Sequence, residues 1–525
     1  MKKQWLMTLL YILLLDFIVA FGLLGVDHWY VKLLYYILPG CAITIRILTA
    51  DKKERKYSFS NKQSIAVSPY VEPQGLPLIL TLFIVLFLPV IGLVAAISYF
   101  FGNFVLVFLH VSIYNAVLML LLPILRKHIS SRVCATLWIL PNILYIAFIP
   151  LVQKDRPLLI LPLHVTLGDW ATLVWFIGFA VIMLYQIGNH LLYRRKILKN
   201  AKQDWNMDVQ RIWYDTLDNV RFKNRYYPVM RSSEVTTPLS IGFFRKTACV
   251  ILPEKEYTPE ELQLILRHEA IHIARRDSLA KFFMVFCAAV CWFNPLAWIA
   301  LRHCTADLEL SCDETVLLGE SDETKRRYAD LLLKTAGNDR GFSTCLSASA
   351  KTMLYRLTHT LNPQKRFLGA FAAGAITVLL LSTFGIVGVS YNHFKGSELI
   401  YDTLENVTWL NDVIYNMDGE RTEFEDIDIA PLQDYIASIT FYQLPGNYAY
   451  EDDTTRITLC FQTDDYTNFL SQYNVISDSI IELHLSDHKL TILYFVPTVG
   501  FAAKVYYHNT DIDWDYLLNL ATPIT

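Results

Sequence analysis

Seven stretches of the sequence stay apolar for about the length of a bilayer crossing, and each predicts a helix. They run roughly from Trp5 to Leu24, Lys32 to Leu48, Leu78 to Phe100, Phe104 to Leu125, Val133 to Leu151, Trp170 to Leu192 and Phe367 to Val389. About 20 consecutive apolar residues suffice to cross the hydrocarbon core as a helix. Pro39, Gly40 and Arg46 interrupt the second stretch. A further run, Phe282 to Leu301, is also long enough, but it contains Asn294-Pro295. Proline removes a helical N–H, so this run reads as a buried or membrane-embedded helical hairpin that returns to the side it left. Past Asn392 the pattern changes. Arg456-Ile-Thr-Leu-Cys-Phe, Ile480-Ile-Glu-Leu-His-Leu, Leu490-Thr-Ile-Leu-Tyr-Phe and Ala503-Lys-Val-Tyr-Tyr read as strands bounded by Asp, Asn and Gly.

These patterns predict a polytopic α-helical membrane protein in four parts. Residues 1–193 form a membrane domain of about six helices, 194–366 a soluble α+β block, 367–390 a further transmembrane helix, and 391–525 a small α+β domain. Composition agrees: 54% of the 525 residues are hydrophobic and 18% charged, with mean hydropathy +0.32, which makes the lipid bilayer the first expected partner. The net charge of −3 excludes a strongly basic nucleic-acid binder, so no direct nucleic-acid partner is expected. Among the nine cysteines no CxxC pair occurs, and Cys460 alone falls in the C-terminal segment, so no disulfide framework is expected there.

Basic residues near span ends are retained in the cytoplasm. Lys2 and Lys3, Lys52 to Lys56, Arg126 with Lys127 and Arg132, and Arg194 to Lys196 all fall on one face if six spans precede residue 193. The 194–366 block is then cytoplasmic and the acidic segment after Asn392 extracytoplasmic. The first span has Lys2 and Lys3 ahead of it like a signal peptide, but no small-residue cleavage site follows, which predicts retention. Asp16 within it reads first as a structural hydrogen-bond partner for another helix, with a proton or ion site as the second reading.

Chemistry concentrates in the cytoplasmic block. In His268-Glu-Ala-Ile-His272 the two histidines, four apart, share one face of a helix and can present imidazoles to one metal ion, with Glu269 beside them. A glutamate so placed can take a proton from a metal-activated water and pass it to a leaving amine. Thr258, Pro259 and Glu261 are a capping-box start for that helix. HExxH alone is weak, and two surface histidines are its bland reading. A second helical segment, Glu309-Leu-Ser-Cys-Asp313-Glu314, raises its weight: Glu309 can be the third protein ligand of a catalytic zinc, and Asp313, one turn later, can orient a ligating histidine.

Thr237-Pro-Leu-Ser-Ile-Gly-Phe-Phe-Arg245, Val250-Ile-Leu-Pro, His268 to Asp277, Asn294-Pro-Leu-Ala-Trp298 and Glu309 to Glu314, in this order and spacing, resemble the BlaR/MecR family of membrane zinc peptidases. The resemblance is close over about Ser232 to Ala336. It implies a gluzincin-like fold for the block, Zn2+ as cofactor, His268, His272 and Glu309 as ligands, Glu269 as general base and acid, and Asp313 as the carboxylate behind a histidine. It also implies that about Thr247 to Leu252, with Thr247, Ala248, Cys249 and Val250 foremost, forms an edge strand along which substrate pairs. The implied substrate is a cytoplasmic transcriptional repressor, cleaved when an extracytoplasmic ligand of unknown identity is sensed; self-cleavage within the block is also implied. Arg276 and Asp277 match without an assigned role. The outer segment departs from the β-lactam-sensing members: Ser486-Asp-His-Lys489 has SxxK spacing, but no SDN-like or KTG-like element follows. Two other readings stay open, a quality-control membrane protease and a non-catalytic receptor whose metal site is structural.

Overall fold

A computed structural model describes residues 29–60, 70–71, 93–148, 159–162, 169–220, 227–242, 247–335, 367–390, 392–404, 407–417, 420–424, 429–443, 455–463, 479–496 and 500–521. The first predicted span, with Asp16, and residues 78–92 of the third lie outside these ranges. The chain forms two compact units, one of residues 1–152 and 172–384, the other of residues 153–171 and 385–525.

In the first unit, helix α1 (Trp29–Ser60) contains the second predicted span and continues beyond it. Helix α2 runs unbroken over Leu93–Leu125, so the boundary predicted between Phe100 and Phe104 is absent. Gly102 and Asn103 lower helix propensity by only about 1 kcal/mol or less each, too little on their own to break a helix of this length. The fifth predicted span, Val133 to Leu151, is not one regular helix. It opens as α3 (Ser131–Ile139), capped by the Ser130 side chain, and becomes a 3-10 helix over Leu140–Phe148. Pro141 has no N–H to donate and crowds the preceding turn. Every residue of α3 is buried among its neighbours.

Strand β1 (Leu159–Pro162) is followed by helix α4 (Asp169–Lys199). Among the described residues, two helices are long and apolar enough to cross a membrane, Phe104–Leu125 within α2 and Trp170–Lys199 within α4. Next come β2 (Lys202–Gln203), helix α5 (Met207–Asn219), β3 (Val229–Arg231), β4 (Leu239–Ile241) and β5 (Cys249–Leu252). Their sheet has the order β2-β3-β5-β4. Apolar residues face both ways along β5. Val250 and Leu252 join a core with Trp213 of α5, while Cys249 and Ile251 meet Ile197 from the end of α4.

That order overturns one expectation. Val250 pairs with Val229 on one side and Ser240 on the other, and Cys249 pairs with Ile241. Thr247, Ala248, Cys249 and Val250 therefore do not form a free edge: Thr247 and Ala248 lead into an interior strand, and β4 takes the edge beside it. The return depends on Gly242, whose φ of +122° suits glycine and whose missing Cβ leaves room for the Thr247 carbonyl.

Helices α6 (Pro259–Arg275), α7 (Asp277–Val290), α8 (Pro295–Val316) and α9 (Asp322–Thr335) complete the block. The chain does break at Asn294-Pro295, where the Asn294 side chain accepts from Leu296 N–H and its amide donates to Ser112 Oγ of α2 at 2.6 Å. Helix α10 (Phe367–Thr383) stops short of the predicted end at Val389, and Gly385 (φ +90°) leads into β6 (Val387–Ser390). Helices α1 and α10 approach closely through Gly40 and Gly374, where a Cβ on either would meet the other's backbone oxygen.

Two of the basic residues read as cytoplasmic markers are internal. Arg132, on α3, donates to Glu54 of α1 at 2.9 Å and lies 3.8 Å over the Tyr70 ring. Arg126 binds both carboxylate oxygens of Asp307 on α8, at 2.8 and 2.7 Å. A sequence window records their charge but not the carboxylates folded onto them.

In the second unit, β1 and β6 pair in parallel, with Leu161 opposite Val389. The rest adds β7 (Asn392–Lys395), α11 (Gly396–Leu404), β8 (Val407–Met417), β9 (Glu420–Phe424), α12 (Ala430–Ser438), β10 (Thr440–Gln443), β11 (Arg456–Thr463), β12 (Ser479–Ser486), β13 (Lys489–Val496), β14 (Gly500–Tyr507) and α13 (Trp514–Ala521). An antiparallel sheet of order β7-β10-β14-β13-β12-β11-β8-β9 carries the three helices against one face, with Ile400, Ile436 and Leu517 packed on Leu459, Leu483 and Ile492. The four strands read from the sequence are β11 to β14. Ser486 and Lys489 flank the β12–β13 turn, where Ser486 Oγ donates to the Lys489 carbonyl at 3.2 Å. That SxxK spacing is a hairpin turn.

Candidate metal centre

Helix α6 starts as its sequence dictates. Thr258 Oγ accepts from Glu261 N–H, Glu261 carboxylate accepts from Thr258 N–H, and Pro259 occupies the first turn. Such a cap contributes about 1 kcal/mol. One face of the helix sets Leu262, Leu266, Ala270 and Ile271 into the core with β5 and α8. His268, Glu269 and His272 are buried with it, each 1% exposed or less.

His268 and His272 converge, with their Nε2 atoms 3.0 Å apart. Each ring is held from behind. His272 Nδ1 lies 2.6 Å from Asp277 Oδ2. His268 Nδ1 lies 2.9 Å from the Tyr328 hydroxyl and 3.3 Å from Asp313 Oδ1, and Tyr328 donates to that same Asp313 oxygen at 2.6 Å. With the Nδ1 protons directed at these acceptors, neutral imidazoles turn two Nε2 lone pairs toward one another. Glu309 Oε2, from α8, lies 3.7 and 3.6 Å from the same two nitrogens, is buried, and makes no hydrogen bond among the described residues. Two lone pairs and an unpartnered carboxylate oxygen converging in a buried place fit a divalent cation and little else.

Glu309 is a carboxylate there. Burial favours its neutral form, but the groups around it, the Lys281 ammonium foremost, hold its pKa well below the usual range. Lys281 Nζ sits 2.7 Å from Glu309 Oε1. Cys312 is a fourth metal-capable group, with His268, His272 and Cys312 donor atoms all within 4.8 Å of one another. Its thiol is directed at the His268 carbonyl, 3.4 Å away, and its side chain lies in the apolar core. The unpartnered oxygen of Glu309 makes it the better third ligand.

Of the residues read from the sequence, His268, Glu269, His272, Glu309 and Asp313 come together. Ala248 and Val250 belong instead to the apolar core shared with Ala270 and Ile271 of α6, while Cys249 faces Ile197. The sequence reading missed Tyr328, Lys281 and the role of Asp277. Asp277 follows His272 by five positions, which on a straight helix lies well off its face. Arg276 adopts the left-handed conformation (φ 58°), ends α6 and swings Asp277 back under His272. Replacing a carboxylate behind a ligating histidine costs about 10–100-fold in metal affinity. Asp277→Ala should weaken zinc binding to that degree in a chelator competition assay, and an unchanged affinity would deny Asp277 this role.

Helix α8 carries these groups on one side and is fixed on the other. Besides the Arg126 pair, Asp307 accepts from Trp138 Nε1 at 3.0 Å, and Glu314 accepts from Ser131 Oγ at 2.6 Å. The ligand helix is thus seated against α3.

Residues 163–358 match the family described as BlaR1 peptidase M56. The regulatory protein BlaR1 of Bacillus licheniformis is 28% identical over 185 residues, which are 35% of this chain and 30% of that protein. Its counterpart in Staphylococcus aureus is 24% identical over 208 residues, 39% of this chain and 33% of that protein. The matched part thus spans about a third of each relative. All the converging residues from His268 to Asp313, with Asp277, Lys281 and Tyr328, fall inside the matched segment, and in that segment the chain is similar to the BlaR/MecR-type peptidases.

Proposed function

We propose that this chain is a zinc-dependent membrane endopeptidase that cuts a cytoplasmic protein in response to an envelope signal. The observation that carries the reading is the convergence of His268 Nε2, His272 Nε2 and the unpartnered Glu309 Oε2 beside Glu269 on the same helix. A zinc ion held by these three would act as a Lewis acid and bring the pKa of water down to about 7. Glu269 takes a proton from the attacking water and returns it to the departing amine nitrogen. Asp277, Tyr328 and Asp313 fix the imidazole tautomers, which keeps both Nε2 lone pairs on the metal side.

A second reading has its own support: Cys312 could close the site with a fourth protein ligand and make the metal structural. The two readings diverge on one variant. Cys312→Ser keeps metal and proteolysis on the peptidase reading and loses the metal on the structural one.

The names of the relatives, regulatory proteins, favour a signalling role over general quality control. The substrate we propose is a cytoplasmic transcriptional repressor, and the extracytoplasmic ligand is unidentified. Proteome comparison of wild-type and Glu269→Gln cells tests this: accumulation of one DNA-binding protein in the variant is the expected result, and broad accumulation of unrelated membrane-proximal proteins would favour quality control.

For topology, β1 and β6 support one side for residues 153–171 and the C-terminal segment, since strands of one sheet share a compartment. With the basic clusters cytoplasmic, that side is the outside. Leu161 and Val389 are register partners, so cysteines introduced at both positions should form a disulfide in cells and label with a membrane-impermeant maleimide when reduced. Labelling only after permeabilisation would reverse the orientation.

A further inference from the structure

Helix α7 lies behind the metal centre and touches it twice. Asp277 and Lys281, four residues apart, occupy one face of that helix. Asp277 holds His272 and Lys281 holds Glu309, so one rigid element sets two of the three proposed ligands.

The Lys281 contact is specific to one oxygen. Its ammonium, 5% exposed, lies 2.7 Å from Glu309 Oε1, while Oε2 points toward the imidazoles. The carboxylate is divided: one oxygen is held by a cation of the protein, the other is left for a cation from outside. That division has a chemical consequence. A carboxylate can bind a metal through one oxygen or both, and binding through both occupies an additional coordination position. A catalytic zinc must keep a position for water, which three protein donors leave open.

From this we infer that Lys281 is a positioning residue that restricts Glu309 to one-oxygen ligation and so preserves the open coordination position. The inference rests on the metal-site reading above. It separates two jobs that one lysine beside a carboxylate could perform. A lysine present only to balance buried charge would affect folding and leave the coordination number unchanged. A lysine that restrains Oε1 determines the coordination number itself.

Cobalt reports this directly, because four-coordinate Co2+ absorbs visible light far more strongly than five- or six-coordinate Co2+. The full-length chain in detergent is loaded with one Co2+ per chain, with His268→Ala as the control for site occupancy. Wild type should give the intense four-coordinate spectrum. Lys281→Met, similar in length and uncharged, should lose about two-fold or more of the visible absorption per bound Co2+ as Oε1 joins the metal. Lys281→Arg, which keeps a cation that can hold Oε1, should recover most of it.

A fully loaded Lys281→Met protein with the wild-type spectrum would overturn the inference alone. So would a wild-type protein that is itself five-coordinate, a measurement that needs no variant to fold. Failure of wild type to bind Co2+ in a His268-dependent way would instead overturn the metal-site reading, and the inference with it.

Discussion

Glu269→Gln should abolish measurable proteolysis, lowering turnover by about 10²–10⁴-fold, while the protein retains its zinc. The substitution is nearly isosteric and leaves His268, His272 and Glu309 intact, so the metal stays. What it removes is a group that can accept a proton. Glu269 is fully buried on the same helix as both imidazoles, so bulk water and buffer cannot easily substitute for it. The checks are metal content by elemental analysis alongside cleavage of a repressor or peptide substrate. Undiminished cleavage by the zinc-loaded variant would eliminate Glu269 as the base.

The second large effect lies on the other side of the ligand helix. Asp307→Ala should destabilise the fold by about 3 kcal/mol, the lower end for removing one partner of a buried ion pair. The lower end applies because the Arg126 side chain is 17% exposed, whereas that of Asp307 is 1% exposed. Burial pushes the Asp307 carboxyl up to about 6, against the opposing pull of Arg126 and the Trp138 indole. Because the folded-state pKa is raised, the folded form binds the proton more tightly than the unfolded chain. The carboxyl's proton-linked contribution is therefore full below about pH 4 and lost as pH rises through about 6. Asp307→Asn keeps an acceptor for Trp138 and should cost less than Asp307→Ala. Thermal unfolding of the detergent-solubilised variants provides the comparison, and equal midpoints for wild type and Asp307→Ala would show that the pair does not hold α8 in place.

The sequence made the metal centre legible where its logic is local. His268 and His272 at helical spacing, the Thr258–Glu261 cap and the Glu309–Asp313 turn are each contained in a few consecutive residues. Tyr328 and Lys281 escaped because each reaches its partner across a turn of tertiary structure: Tyr328 is 60 residues from His268, and Lys281 is 28 from Glu309. Asp277 was visible as a residue but not as a contact, since its reach depends on a left-handed Arg276 that no side-chain preference announces. The edge strand failed for a related reason. An apolar run identifies a strand buried on both faces, but whether a neighbour lies along each side is fixed by a hairpin return at Gly242. The apolar stretch after Val133 changes from α3 to a 3-10 helix at Pro141, a local change of winding that a count of apolar residues does not register.

The parallel pairing of β1 with β6 also limits how this protein can be rebuilt. Its C-terminal unit is not a tail that begins after the last helix: residues 153–171, far upstream, belong to it. A chimera that replaces only the chain after residue 385 would strip β1 of its partner and leave it facing a foreign surface. Exchange of the C-terminal unit among relatives therefore requires both segments to move together, so their sequences are expected to change in concert while the intervening segment follows its own course.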